Sequence, residues 1–451
     1  MPRPTFRAIA IAAAILATLA ARLPHMTLAR SAPAAESVIT ATPTRLTLWF
    51  TARPQLALSR VRLVGAAGDV SLGPVVAEPG NALRADVAGP LAPGAYRVHW
   101  QTAGADGHVP SGEIGFVVSA PGRDTTPAHV HAAGPVTREG SHTMTHGMSL
   151  AERVARWWEF LALLSVLGIL AFLFGVLPPL ASRGVRTGDA SQVARGYGEI
   201  AAVVYLLAAA YRLVAQSGTM GSSQAFADVP SVADIVLRSS WGNGWLFGVL
   251  GAVLVLPGFA LSKRSVAAGA PLTLTGALAM ALSPALSGHA ATGSPFVASV
   301  TFDALHVVAV GAWVGGLLML VVVGVPAMLR LADGNRDAAV SALVNSFHPI
   351  ALLCAPLAVA AGVGSAVVRV GSFEALTSTP YGLALIWKSL LALAVVGLGA
   401  WNSTRARRRL GTAEATTRFR RSAAVELALA ALVLAATTQL VSLPPPADMI
   451  P

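Results

Sequence analysis

Residues 299–326, SVTFDALHVVAVGAWVGGLLMLVVVGVP, form a long apolar run that holds only two ionisable side chains, Asp303 and His306. The hydrocarbon core of a bilayer takes about 20 helical residues, so this run is long enough to cross one. Seven further runs of the same character lie near 157–178, 198–217, 241–262, 270–289, 348–370, 381–401 and 422–443, which predicts eight spans. Ionisable groups inside such helices are expensive, and their positions mark where a pathway or site should be sought.

The composition agrees. Of 451 residues, 54% are hydrophobic and 12% charged, far too apolar for an ordinary soluble enzyme. The formal net charge of +11 does not indicate nucleic-acid binding, because the basic residues sit in short clusters between apolar runs. Arg183, Arg186 and Arg195 follow the first run, Lys263 and Arg264 the third, and Arg330 and Arg336 the fifth. A group from Arg405 to Arg421 follows the seventh, whereas the alternate loops hold little positive charge. Basic loops stay on the cytoplasmic side, so an even number of spans puts both ends of the mature chain outside. The single cysteine, Cys354, lies in an apolar run, which leaves neither a disulfide framework nor a CxxC metal site. A GxxxxGK[ST] phosphate loop is also absent from the sequence.

Ahead of the spans, Arg3 and Arg7 precede the apolar stretch 8–21, the pattern of a secretory signal, with the boundary expected after residue 24. From about residue 37 to 119 the period changes to two: Leu46, Leu48 and Phe50, then Val61 and Leu63, then Tyr96, Val98 and Trp100. Such alternation predicts strands with one buried face. Turn signals at residues 66–69, 79–81 and 93–94 point to an antiparallel sandwich of about seven strands. His99 lies on the opposite phase and is expected on the exposed face. Residues 120–150, rich in Gly, Pro, Ser and Thr, read as a flexible linker that carries His129, His131, His142, Met144, His146 and Met148. Imidazole and thioether donors of that kind can hold a soft or borderline transition-metal ion.

Two stretches bring a resemblance. The segment HMTLARSAPA at 25–34 and TAGADGHVPSGEIGFVV at 102–118 resemble the two ends of the mature CopC copper-binding domain. Membrane-domain stretches SGHA at 287–290, FDALHVVAVGAWVGGLLML at 302–320 and TPYGLALIWKSLLALAVVGLGAWNS at 379–403 resemble the CopD copper-resistance membrane domain. The implied architecture is mixed and multidomain. A CopC-like, Ig-like all-β Greek-key sandwich at 25–119 precedes an all-α polytopic CopD-like domain of about eight transmembrane helices at 151–445, followed by a short tail, 446–451. The resemblance implies copper(II) ligands at His25, through amine and imidazole, and at Asp106 and His108. Nitrogen and oxygen donors of this kind favour copper(II) in a tetragonal arrangement. A free amine at His25 requires the signal to be cut just before it.

In the spans, His289 and His306 are the candidate ligands for copper(I) or copper(II), with Asp303 as a third ligand or as the carboxylate that orients an imidazole. Lys388 and Arg212 are expected to balance Asp303 or Glu159, while Glu199, His348 and Glu426 form a second polar layer toward the basic loops. The leading expectation is a multi-pass bacterial inner-membrane protein of copper homeostasis and resistance. Its periplasmic domain would bind copper, receive it from periplasmic chaperones and feed it to the membrane domain for uptake. No catalytic residue is assigned. The alternatives are a membrane oxidoreductase that reduces copper or holds haem, and a sequestering or sensing protein without transport.

Overall fold

Alternation places Leu46, Leu48, Phe50, Leu63, Leu83, Val98, Trp100, Ile114 and Phe116 in one buried cluster, and the strands that carry them form a two-sheet sandwich. The computed structural model describes residues 26–104, 109–120, 149–221, 226, 231–287, 296–331, 336–443 and 446. Nine strands are present among them: β1 Leu28–Ala32, β2 Ser37–Ile39, β3 Arg45–Phe50, β4 Arg60–Gly65, β5 Gly68–Val70, β6 Val76–Glu78, β7 Ala82–Asp86, β8 Gly94–Gln101 and β9 Ser111–Val118. One sheet has the order β1-β3-β7-β6 and the other β2-β9-β8-β4-β5. The chain therefore crosses between sheets repeatedly, as Greek-key connections require. All pairings are antiparallel except β2 with β9.

The count exceeds the expected seven because β2, β5 and β6 have three residues each, too few to display alternation. Trp100 meets Phe50 edge-on with ring centres 5.2 Å apart, and Tyr96 stacks on Phe116 at 5.5 Å. The Tyr96 hydroxyl donates to the Ala92 carbonyl at 2.8 Å, so the one polar atom of that ring is satisfied. Gly112 is needed opposite Trp100, since a Cβ there would lie 2.6 Å from the indole.

Among the described residues, eight helices are long and apolar enough to cross a membrane: α1 Leu150–Ala181, α2 Gly188–Gly218, α3 Ser240–Ser262, α4 Val266–Leu286, α5 Phe296–Leu329, α6 Arg336–Val370, α7 Pro380–Arg409 and α8 Ala413–Leu440. Several outrun the apolar windows because polar turns continue the helix beyond them, as residues 336–347 do at the start of α6. Side-chain caps set some of the starts. Ser265, Thr379 and Thr412 accept from the backbone N–H groups of Ala268, Gly382 and Ala415, which satisfies donors that a helix end leaves open. Leu207, Leu352, Leu353, Val367 and Leu393 are exposed on the outer surface, the disposition a bilayer solvent favours.

The Gly311/Gly315 spacing makes a real close contact. A Cβ at Gly168 of α1 would lie 2.1 Å from the Gly315 carbonyl carbon, and one at Gly315 would lie 2.0 Å from the Leu164 oxygen. Only glycine permits the two backbones to meet in this way. Residues 311–315 also form a π-turn within α5, and further π-turns occur at Phe172–Val176, Leu320–Gly324 and Asn402–Ala406. Such turns admit an extra residue per turn and recur at functional sites.

Candidate functional site

The sandwich holds the flanks of its expected ligands at one end. Met26 is a core residue, 4% exposed, so its thioether is not presented to solvent. Thr27 and Thr51 exchange two hydrogen bonds, Thr27 N–H to Thr51 Oγ1 at 2.9 Å and Thr51 N–H to the Thr27 carbonyl at 3.0 Å. Four residues on, the Gln55 N–H donates to the Ala103 carbonyl at 2.8 Å. The short segment after β3, at most about 14 Å of chain, thus ties the start of the domain to the base of the connection between β8 and β9. That base is closed by the Thr102 N–H donating to the Pro110 carbonyl at 3.1 Å. His25, Asp106 and His108 lie outside the described residues, as do the linker positions His129, His131, His142, Met144, His146 and Met148.

His99 is on the outward face, as its phase predicts, with Nδ1 3.3 Å from a Glu113 carboxylate oxygen. On the same face Arg62 pairs with Asp69 at 2.8 Å, and this hydrogen bond holds the Asp69 carboxyl below its ordinary range.

Asp303 and His306 lie one turn apart on α5 and share the face that meets α6. The Asp303 carboxylate accepts from Ser365 Oγ at 2.7 Å on one oxygen and pairs with the Arg369 guanidinium through the other. His306 Nδ1 is 2.8 Å from the Ala358 carbonyl oxygen. A carbonyl can only accept, so Nδ1 carries the proton and the Nε2 lone pair is left for another partner. Gly362 makes room for the ring, since a Cβ there would stand 3.1 Å from Nδ1.

Residues 358, 362, 365 and 369 fall at helical intervals of four, three and four, so one stripe of α6 supplies these hydrogen-bond partners of Asp303 and His306 and the space for the ring. The sequence reading missed this stripe. Its visible signal was the small-residue stretch Gly362, Gly364, Ser365, ending one turn before an arginine inside an apolar run.

Ion pairing follows expectation for one pair and departs from it for the other. Arg212 does pair with Glu159; Glu159 is buried and Arg212 largely so, 5% and 11% exposed at the side chain. Asp303, however, is paired by Arg369 rather than Lys388; Lys388 on α7 lies within electrostatic reach of both members. The orienting acceptor of His306 is a backbone carbonyl, not the Asp303 carboxylate. His289 lies outside the described residues, and among those described no three His, Cys, Asp or Glu side chains converge as a metal-binding group. Glu199 pairs with Lys263 at 2.7 Å, and His348 Nδ1 is 2.9 Å from Ser403 Oγ.

Similarity to known proteins follows the same division. Residues 28–119 match the CopC domain, 148–298 the copper resistance protein D-like N-terminal domain, and 341–440 copper resistance protein D. The copper transport protein CutJ of Bacillus subtilis (strain 168) is 26% identical over 365 residues, a match that takes in 79% of this chain and 62% of that protein. The chain thus spans less than two thirds of the relative's length. Among solved structures, selenomethionine PcoC, a copper resistance protein from Escherichia coli, is 25% identical, covering 21% of this chain and 99% of PcoC with a TM-score of 0.20. CopC from Methylosinus trichosporium OB3b is likewise 25% identical, covering 22% and 99% with a TM-score of 0.21. With a CopC domain followed by both parts of a copper resistance protein D domain, the chain belongs to the copper-resistance CopC/CopD fusion family.

Proposed function

We propose that the protein takes copper across the bacterial inner membrane toward the cytoplasm. The sandwich binds copper(II) on the periplasmic side through His25, Asp106 and His108, and the His- and Met-bearing linker hands it to the helical domain. There His306 and His289 are the ligands, and Asp303 keeps the local charge balanced. Residues 1–24 are removed as a signal, and periplasmic copper chaperones are the natural donors.

One observation carries the membrane part of this reading. His306 donates Nδ1–H to the Ala358 carbonyl, the arrangement in which metal-bound histidines are held, with the second nitrogen presented as the ligand. The charge distribution of the loops supports the orientation. In the absence of a phosphate loop, the driving force is an ion gradient, the membrane potential or a copper acceptor.

The test is copper flux into liposomes that hold the purified full chain, with copper(I) and copper(II) offered separately from outside. His306→Ala should abolish flux while leaving copper(II) binding by the sandwich intact. Flux equal to the unaltered protein at equal protein levels would remove His306 from the route, and an optical Soret band in the purified protein would favour haem chemistry instead.

A further inference from the structure

A second polar site lies toward the basic ends of α5 to α8, around Glu426. This residue of α8 is 3% exposed. Its Oε2 accepts from Asn402 Nδ2 at 2.8 Å, and Asn402 Oδ1 in turn accepts from Ser422 Oγ at 2.6 Å. The other oxygen, Oε1, rests against α7 where Gly399 has no side chain. A Cβ there would be 3.0 Å from Oε1 and 3.4 Å from the Trp313 ring of α5. Asn402 opens the π-turn Asn402–Ala406, and the next residue, Ser403, is the partner of His348.

Glu159 and Asp303 each have an arginine, but among the described residues Glu426 has no cation in ion-pair range. The titratable or charged groups that the packed helices bring to this region are His348 and Cys354 on α6 and Arg407 on α7. Arg407 is itself occupied with Asn345 Oδ1 at 2.7 Å and the Ser403 carbonyl at 3.0 Å. From α5 comes Trp313, and on α1 the ionisable side chains Glu152, Arg153, Arg156 and Glu159 all fall within the first ten residues, toward the opposite end of the helix from its following basic loop. On α8 itself Arg420 and Arg421 are exposed.

A lone carboxylate sealed among apolar helices is costly unless a cation or a proton neutralises it. A metal ion would need further ligands, and the immediate surroundings offer one amide, one hydroxyl and an indole edge. A proton needs none. Resting on the transport reading above, we propose that Glu426 is a proton-binding site whose loading and release is coupled to the passage of copper. Asn402 and the π-turn hold the carboxyl in place, and His348 of α6, bonded to Ser403 of that turn, is the next titratable group on the way to the basic end.

The experiment uses the full chain in liposomes with a pH-sensitive dye inside, and compares the unaltered protein with Glu426→Gln and Glu426→Asp. Gln is isosteric and still accepts from Asn402, so folding should survive. Copper addition should move protons in the unaltered protein, and one unit of imposed pH gradient should bias copper flux so that the copper ratio finally reached across the bilayer shifts by about tenfold for one coupled proton. Glu426→Gln should lose both effects, and Glu426→Asp should recover part of them. Copper flux with the same pH-gradient dependence in Glu426→Gln would overturn the proposal. PH-difference infrared spectra provide a readout that needs no transport: a neutral carboxyl band should titrate in the unaltered protein and be missing in Glu426→Gln. Absence of all copper flux in the unaltered protein would overturn the transport reading and the coupling with it, while the proton site would stand or fall on that band.

Discussion

The sandwich and the helical unit place their charges in opposite ways. In the sandwich, ion pairs such as Arg62–Asp69 and His99–Glu113 lie on outward faces, and the interior is held by Trp100, Phe50, Tyr96 and Phe116. Glu159, Arg212, Asp303, Arg369 and Glu426 are instead set inside the helix packing. Burying an ion costs several kcal/mol even after relaxation, and its partner only offsets that cost. The sandwich thus uses charge where it is cheap, whereas the helical unit retains it where it is dear. That contrast separates a domain held together by an apolar core from one that keeps charged groups within its packing.

The contrast can be broken at its apolar side first. Trp100→Ala should cost the sandwich about 3–5 kcal/mol, the usual range for emptying a buried tryptophan site, read from chemical denaturation of the full chain followed by fluorescence. Arg62→Ala should leave the same transition where it was, and a comparable loss there would mean that surface charge, not the core, carries the domain.

On the other side, Asp303→Ala leaves the Arg369 guanidinium without its carboxylate and should destabilise the helical unit by roughly 3 kcal/mol, seen as an earlier thermal transition in detergent. Removing both partners in Asp303→Ala/Arg369→Ala should restore most of that loss. A double variant as unstable as the single would show that the pair is not the unit of stability.

Gly362→Ala probes position rather than charge. Its methyl would press on the His306 ring at about 3.1 Å, a displacement of a few tenths of an ångström whose overpacking cost of about 1–3 kcal/mol is partly offset by the helix preference of alanine over glycine, about 1 kcal/mol. Copper flux should fall nonetheless, because the imidazole moves; flux unaffected by that shift would argue against a positioned ligand.

The smallest effect concerns pH. Asp69 is held low by Arg62, so its contribution to folding is present above the ordinary carboxyl value near 4 and lost as the pH falls below it. Because both side chains are exposed and screened by solvent, Arg62→Ala should differ from the unaltered protein only marginally at pH 7, and that difference should shrink as acid protonates Asp69, in denaturation curves.

Much of this was legible in the chain. Apolar runs of bilayer length located the eight helices, because every backbone polar group in lipid must be bonded within the segment and hydropathy therefore maps directly onto structure. Period-two patterning located the longer strands and the outward phase of His99, and a three-residue spacing put Asp303 and His306 on one helix face. The choice of Arg369 over Lys388 was decided only in three dimensions. Asp303 and Arg369 are 66 positions apart, and which arginine or lysine meets a carboxylate depends on the rotation and crossing of α5 against α6, to which hydropathy is blind. The same holds for the Ala358 carbonyl, a backbone atom with no signature in its residue type, and for Glu426, whose lack of an ion-pair partner among the described residues is a property of how α5, α7 and α8 close around it. Local sequence determined what each segment is, because burial in lipid or a sheet acts residue by residue. Tertiary packing decided which groups meet, because contact is a relation between segments.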